Sequence, residues 1–111
     1  MGYCKVVENT EPGVLNVKLA GKIDANNHED IQLEAHEILL KAGSNVDAFE
    51  FDVNDVTYVS SAGLRMFSSV SKECKNKGIA YSLVGLRKDI LRMFQLTGYA
   101  NIFKIVEKQE V

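Results

Sequence analysis

Residues 51–67 read FDVNDVTYVSSAGLRMF, and within them a run rich in strand-forming residues changes to a helical pattern directly after Ser60 and Ser61. Two hydroxyl groups therefore lie where a strand ends and a helix begins. The first N–H groups of a helix have no partner inside the helix and carry partial positive charge, so a helix N-terminus accommodates an anion well. The stretch predicts a strand–turn–helix unit with a serine pair at its turn.

The residues before this unit predict a hairpin followed by a helix. Residues 4–9 and 15–20 read as strands, the second with period-two alternation, and Pro12-Gly13 supplies the turn between them. Residues 21–27 read as a loop. Apolar residues at helical spacing then continue to residue 42, and Gly43 is the expected stop.

The residues around and after the serine pair continue the alternation of strand and helix. Residues 48–53 predict a strand that continues at 56–59 after a bend at Asn54-Asp55, and the next helix covers residues 61–76. Gly78 and Gly98 are expected to end helices. The remaining predicted elements are a strand at 79–84, a helix at 87–97 and a strand at 102–106.

This order predicts an α/β fold with a mixed sheet. Strands that alternate with helices imply right-handed crossovers and parallel pairing, while the opening hairpin adds an antiparallel pair. We expect one domain over residues 1–111, with four to five strands and the helices mainly on one face of the sheet. No internal repeat, linker or low-complexity segment interrupts the pattern.

Composition narrows the class of function. The chain is 46% hydrophobic and 25% charged with a net charge of −2, which is typical of a folded protein, and no basic block favours nucleic-acid binding. No apolar run reaches the roughly 18–20 residues of a membrane span, and the N-terminus has no signal pattern. We therefore expect a cytoplasmic protein with no direct membrane insertion, in which Cys4 and Cys74 are reduced, partly buried thiols.

The serine pair and three further segments resemble the STAS domain, the fold of bacterial anti-sigma factor antagonists. In that family a strand runs into Asp-Ser-Ser/Thr-Gly-Leu, and Ser61, Gly63 and Leu64 match the motif in register. Residues 19–24 (LAGKID) match an early strand end, and Asp52 matches a strand aspartate. Residues 91–103 (LRMFQLTGYANIF) resemble the closing helix and the turn into the last strand.

The resemblance implies a function and a set of site residues. It implies an anti-sigma factor antagonist, which is not an enzyme but the substrate of a serine kinase that is also the anti-sigma factor, with a PP2C-type phosphatase restoring the free serine. Ser61 is the implied phosphate acceptor, and Ser60 is the second candidate. No cofactor or metal is expected. The implied partner-contacting residues are Asp24, Asp52, Ser60, Ser61, Gly63, Arg65 and Met66.

Two departures from the family motif keep a second function open. Ser60 stands where many members have Asp, and Ala62 stands where many have Ser or Thr. A copy without the phosphorylation cycle could act as a constitutive adaptor subunit of a transporter or lipid-transport complex. A third alternative is a small receiver or nucleotide-binding domain, which would require an acidic cluster or a glycine loop at the strand ends.

Each candidate residue also has an ordinary structural interpretation. Serine at a strand–helix turn commonly caps the helix, and Asp24 and Asp52 commonly cap loops rather than form an acid–base pair. His28 and His36 are eight residues apart, whereas a zinc-binding helix needs histidines four apart. Val59 replaces the glycine that a nucleophile elbow needs two residues before Ser61, and no P-loop pattern is present. The basic residues of the serine-led helix, which are Arg65, Lys72, Lys75 and Lys77, form either a solvated face or a surface for an acidic partner.

Overall fold

The computed structural model describes residues 7–107 and shows strands alternating with helices after an opening hairpin. Two short 3-10 turns, Gly43–Asn45 and Tyr99–Asn101, follow the first and last helices. The elements are β1 (Val7–Glu11), β2 (Val14–Ile23), α1 (His28–Ala42), β3 (Ala48–Val59), α2 (Ser61–Asn76), β4 (Ala80–Val84), α3 (Lys88–Thr97) and β5 (Lys104–Val106).

The five strands form one sheet in the order β1-β2-β3-β4-β5. β1 is antiparallel to β2, and the other neighbouring strands are parallel. Each helix connects a strand to the next one along the sheet, so right-handed crossovers in one direction place all three helices on the same face. The predicted mixed α/β sheet, with its helices on one face, is confirmed.

The core lies between this helical layer and β3, the central strand. Every second side chain of this strand faces the helices, and those of Phe49, Phe51 and Val53 are fully buried. Phe51 contacts Phe67 of α2 edge to face, with ring centroids 5.5 Å apart. The Tyr81 hydroxyl donates to the Phe67 carbonyl at 3.0 Å, which ties α2 to β4. These contacts fix α2 over the middle of the sheet.

The second half of β3 contains two irregularities in its pairing with β2. Lys18 pairs with Asp52 but Ala20 pairs with Asp55, so β3 carries one extra residue there, and a second extra residue follows Val56. A regular strand would turn Val53 and Val56 to opposite faces because its side chains alternate. The extra residues let both enter the core, where both are fully buried. The predicted bend at Asn54-Asp55 is thus a bulge within one continuous strand.

Several element limits differ from those predicted: β4 and α3 begin one residue later, at Ala80 and Lys88, and β5 begins two residues later, at Lys104. β2 continues to Ile23, where a loop from residue 21 was predicted, because Gly21 takes a positive φ of 79° within the strand and Ile23 is drawn into the core. The predicted strand at residues 4–9 is described only from Val7, and β1 continues to Glu11. Gly98 ends α3 with φ 83° in the left-handed region, as predicted.

Cys74 provides a test of this packing. Its thiol is buried in the core, and burial, helped by the nearby Glu73 carboxylate, raises the pKa of Cys74 from the ordinary 9.0 to about 11. In a Cys4→Ser variant, which leaves Cys74 as the single cysteine, we expect almost no reaction with a thiol reagent at pH 8, because only about one thiol in a thousand is ionised.

Denaturant should restore normal reactivity of Cys74 in the same sample, because the unfolded chain exposes the thiol.

The raised pKa of Cys74 also predicts how stability depends on pH. Raising the pH from 9 to 11 should lower the free energy of unfolding, because the thiol of the unfolded chain ionises first. Fast reaction of the native variant at pH 8 would contradict the packing of α2.

Candidate functional site

The two serines have different positions at the start of α2. Ser60 is the N-cap, with extended backbone angles, and its Oγ accepts a hydrogen bond from the Gly63 N–H at 3.2 Å. Its carbonyl accepts the first intrahelical bond, from the Leu64 N–H at 2.9 Å. Ser61 is the first helical residue and is exposed. The capping role therefore belongs to Ser60, and the Ser61 hydroxyl faces solvent.

The first turn of α2 is attached to the end of β2. The Ser60 N–H donates to the Ile23 carbonyl at 2.9 Å. A Cβ added to Gly63 would lie 2.8 Å from the same carbonyl oxygen and 2.9 Å from Val59 Cγ1. Real Cβ atoms do not approach backbone oxygens so closely, so only glycine permits this packing. Gly63 is buried, and its contribution to the site is to set the position of the turn that carries Ser61.

Asp24 follows Ile23 directly and lies in the turn that leads into α1. Its Oδ1 accepts from the Asn26 N–H at 2.9 Å, and its carbonyl accepts from the His28 N–H at 3.0 Å. Asn27 closes the turn, since its Oδ1 accepts from the Asp24 N–H and its Nδ2 donates to the Lys22 carbonyl at 2.7 Å. Through Ile23, the Asp24 turn and the serine turn are neighbours at the carboxyl edge of the sheet.

Arg65 and Met66 of α2 have opposite environments. Arg65 is exposed and lies four residues after Ser61, which places it on the same face of the helix one turn further on. Met66 is only 1% exposed and belongs to the core. The predicted partner contact through Met66 is therefore wrong for this conformation. The physical reason is that α2 is the middle helix, packed on α1, α3 and the sheet, and it buries a broad side.

Asp52, which was expected to contact the partner, lies in β3 nine residues before Ser61. It sits in the middle of β3, in register with Lys18 and Val84, and alternation places it on the face opposite the helices. Its side chain is buried, and its Oδ1 accepts from the Asn54 N–H at 3.1 Å. Asp52 therefore shapes the bulge of β3 rather than the exposed edge.

Tyr58 is a surface residue that the sequence reasoning missed. Tyr58 lies two residues before Ser60, pairs with Lys22 of β2, and is 49% exposed. β4 pairs with β3 only as far as Asp52, so within residues 7–107 the last part of β3 extends past β4 and carries Tyr58 outward. Because Tyr58 follows a bulge, the alternation of buried and exposed residues along β3 is interrupted, and the sequence does not indicate that Tyr58 is exposed. We call Asp24, Tyr58, Ser60, Ser61 and Arg65 the Ser61 surface.

The remaining candidate sites are not assembled in the described part of the chain. His36 Nδ1 lies 2.7 Å from Glu73 Oε2, which joins α1 to α2. Across residues 7–107, no three His, Cys, Asp or Glu side chains are grouped in a way that could hold a metal ion. No helix within those residues has both the length and the apolarity that a membrane crossing requires.

Comparison with known proteins establishes the family. The sequence matches the STAS domain family over residues 5–110. The chain belongs to the STAS domain family. The anti-sigma-B factor antagonist of Bacillus subtilis is 28% identical over 96 residues, which make up 86% of this chain and 84% of that protein.

Solved structures agree on the STAS fold. SpoIIAA from Bacillus, an anti-sigma factor antagonist in its unphosphorylated form, aligns with a TM-score of 0.78 at 15% identity, over 96% of this chain and 90% of that one. The murine anion transporter Slc26a9 aligns with a TM-score of 0.78 at 15% identity, over 89% of this chain but only 17% of the transporter. At these identities the structures establish the fold alone.

The separate positions of the two serines give a matched pair of variants. Ser60→Ala removes the cap and should lower the free energy of unfolding by about 1 kcal/mol. Ser61→Ala removes an exposed hydroxyl that Gly63 does not use, and should change it by less than about 0.5 kcal/mol. Urea denaturation of both variants measures the difference. Equal destabilisation by the two changes would mean that both serines share the capping role.

The packing of Gly63 predicts a larger effect from a single methyl group. Gly63→Ala should lower the free energy of unfolding by about 1–3 kcal/mol, because either the Ile23 carbonyl or the whole first turn of α2 must move. Lys72→Ala, on the exposed side of the same helix, is the matched control and should stay within about 0.5 kcal/mol. Urea titrations decide the matter, and an unchanged midpoint for Gly63→Ala would refute the close approach.

Proposed function

We propose that this STAS protein is an anti-sigma factor antagonist controlled by phosphorylation of Ser61. The observation that carries the proposal is the division between the serines: Ser60 caps α2, while the exposed Ser61 hydroxyl is left available. The relatives named as anti-sigma factor antagonists support the same class of function. In this role the protein is the substrate of a kinase and has no catalytic activity of its own.

A phosphate on Ser61 is compatible with the fold. It would be attached to the first residue of α2, where the unpaired N–H groups and the helix dipole favour negative charge. Arg65, one turn away on the same face, adds a cation within reach of such a group. We therefore expect phosphorylation to leave the native structure and its thermal stability nearly unchanged.

The partner, in contrast, would respond strongly to the phosphate. The unphosphorylated Ser61 surface would bind an anti-sigma factor that is also a serine kinase, and so release the sigma factor. Phosphorylation adds a charge of about −1.5 to −2 at the centre of that contact. A charge left without compensation in an interface costs about 3–5 kcal/mol, which corresponds to roughly hundred- to thousand-fold weaker binding.

The other residues of the Ser61 surface suit a contact of this kind. Tyr58 offers the exposed aromatic ring that often anchors an interface, and Arg65 offers a charged hydrogen-bond donor. The Asp24 carboxylate is held in place by the Asn26 N–H. A PP2C-type phosphatase would return the surface to its binding form, and both enzymes would act on this protein in the cytoplasm.

A constitutive adaptor subunit is the alternative function, and part of the anion transporter Slc26a9 has the same fold. The adaptor would differ from the proposed function in having no phosphorylation switch. The receiver-like alternative is disfavoured, because Asp24 lies in the turn before α1 and Asp52 lies within β3, so the two form no acidic cluster. The switch is therefore the feature to test.

The first part of the test identifies the acceptor. The protein is incubated with its cognate anti-sigma kinase and ATP, and the modified residue is mapped by mass spectrometry. We expect one phosphate on Ser61, none in Ser61→Ala, and normal modification of the control variant Ser68→Ala. Phosphate mainly on Ser60, or retained in Ser61→Ala, would refute the assignment.

The second part measures the switch by titration calorimetry against the same kinase. The phosphorylated protein should bind roughly a hundred- to thousand-fold more weakly. Ser61→Asp should weaken binding less, since a carboxylate carries less charge and fewer acceptor oxygens than phosphate. Ser61→Ala should bind as tightly as the unmodified protein and never be released by ATP. Equal affinities for all forms would remove the switch and favour the adaptor.

A further inference from the structure

The guanidinium of Arg65 has hydroxyl groups rather than carboxylates as its neighbours on α2. Residues three and four positions apart on a helix are neighbours on its surface. For Arg65 all four of these positions are uncharged, and they are Ser61, Ala62, Ser68 and Ser69. Arg65 is exposed, and across residues 7–107 its side chain takes part in no ion pair or hydrogen bond.

The acidic member of the Ser61 surface is also not paired with Arg65. The Asp24 carboxylate accepts from the Asn26 N–H of its own turn at 2.9 Å, and no ion pair within the described residues joins it to Arg65. The charge of the guanidinium is therefore available to a new anion on its own face of α2.

The spacing of Ser61 and Arg65 suits a pair within one helix. They are four residues apart, so their Cβ atoms lie about 5–6 Å from each other on the same face. Side chains of a helix lean toward its N-terminus, which directs the Arg65 side chain toward Ser61. An acidic group four residues before a basic one is also the better order for a helix ion pair. A phosphate on Ser61 and the Arg65 guanidinium can therefore form two parallel hydrogen bonds.

This pair competes with the contact that Arg65 would make to the partner. In the unphosphorylated protein, the exposed guanidinium can extend away from the helix and donate to an acceptor of the partner. A guanidinium that is bound to the phosphate lies along α2 instead, and its charge is offset. The same side chain cannot serve both contacts at once.

We propose that phosphorylation of Ser61 weakens partner binding in part by capturing Arg65. The inference rests on the proposed function and names the residue through which the switch acts. Binding loses a charge-assisted hydrogen bond from Arg65, in addition to the effect of the phosphate charge itself. The single positive charge of Arg65 offsets only part of the phosphate, so about −0.5 to −1 remains at the contact.

Lys72 provides the matched control for the loss of one positive charge. It is exposed on the same face of α2, eleven residues or about three turns after Ser61. At about 1.5 Å per residue, the two residues lie roughly 16 Å apart along the helix, which is too far for a lysine to bind the phosphate. Lys72→Gln and Arg65→Gln each remove one charge, but only Arg65→Gln removes the group that can capture the phosphate.

A double-mutant cycle tests the capture. The native sequence, Arg65→Gln and Lys72→Gln are each prepared with serine and with phosphoserine at position 61, the latter inserted during translation so that no variant depends on the kinase for its modification. Calorimetric titration of the cognate anti-sigma kinase without ATP gives six affinities. We expect Arg65→Gln to weaken the unphosphorylated complex at least fivefold. Phosphorylation should then weaken the Arg65→Gln complex at least tenfold less than the native one, whereas Lys72→Gln should leave both values within twofold.

NMR provides a readout that needs no partner. Phosphorylation should shift the Nε–H resonance of Arg65 and slow its exchange with water. The second pKa of the phosphate, followed by ³¹P NMR, should rise in Arg65→Gln, because a nearby cation favours the dianion, and should be unchanged in Lys72→Gln. Urea denaturation verifies that both variants are folded.

The outcomes separate this inference from the proposed function. An equal loss of affinity on phosphorylation in the native sequence and in Arg65→Gln would overturn the capture as a cause of release, whatever the NMR spectra show, and would leave the switch in place. No loss of affinity on phosphorylation of the native sequence would overturn the proposed function, and with it the part that Arg65 has in the switch.

Discussion

The position of the Ser61 surface depends on the close packing of the first turn of α2 against the Ile23 carbonyl. That oxygen accepts the Ser60 N–H, and it leaves no room for a side chain on Gly63. The same residue, Ile23, ends β2 and precedes the Asp24 turn. One backbone carbonyl therefore fixes the start of α2 beside the end of β2, and with it how close the Asp24 turn and the serine turn come to each other.

This packing in turn requires an irregular β3. The two extra residues keep Val53, Val56 and Val59 in the core while the strand continues past β4. A regular strand of the same sequence would expose one of these valines or end earlier, because its side chains must alternate. The buried Asp52 side chain accepts from the Asn54 N–H within the first bulge, so its contribution to the site is indirect. Ser61 reaches the exposed edge because β3 bends before it.

The parts of the structure that could be predicted are those governed by local signals. The limits of α2 follow from a serine cap and from Gly78, and the parallel pairing of the strands after β1 follows from the alternation of strands and helices. The end of β2 was missed because Gly21 reads as a breaker, although a glycine with positive φ fits where the pairing is irregular. Met66 and Tyr58 were misjudged because their exposure depends on tertiary neighbours, the flanking helices for one and the bulges for the other. The sequence motif indicated Gly63, but only the distance to Ile23 explains it.

The serine at position 60 also changes the electrostatics of the neighbouring residue. The STAS motif that this segment resembles has aspartate at that position, which would place a full negative charge beside any phosphate on Ser61. A hydroxyl caps the Gly63 N–H without that charge. The partial positive charge of the helix N-terminus is then available to an anion on Ser61, with Arg65 one turn away. In the proposed switch, the fold would accept the phosphate without strain and with little change in stability. The loss of affinity would then have to arise at the interface with the partner, because binding would remove water from the phosphate charge without compensating it.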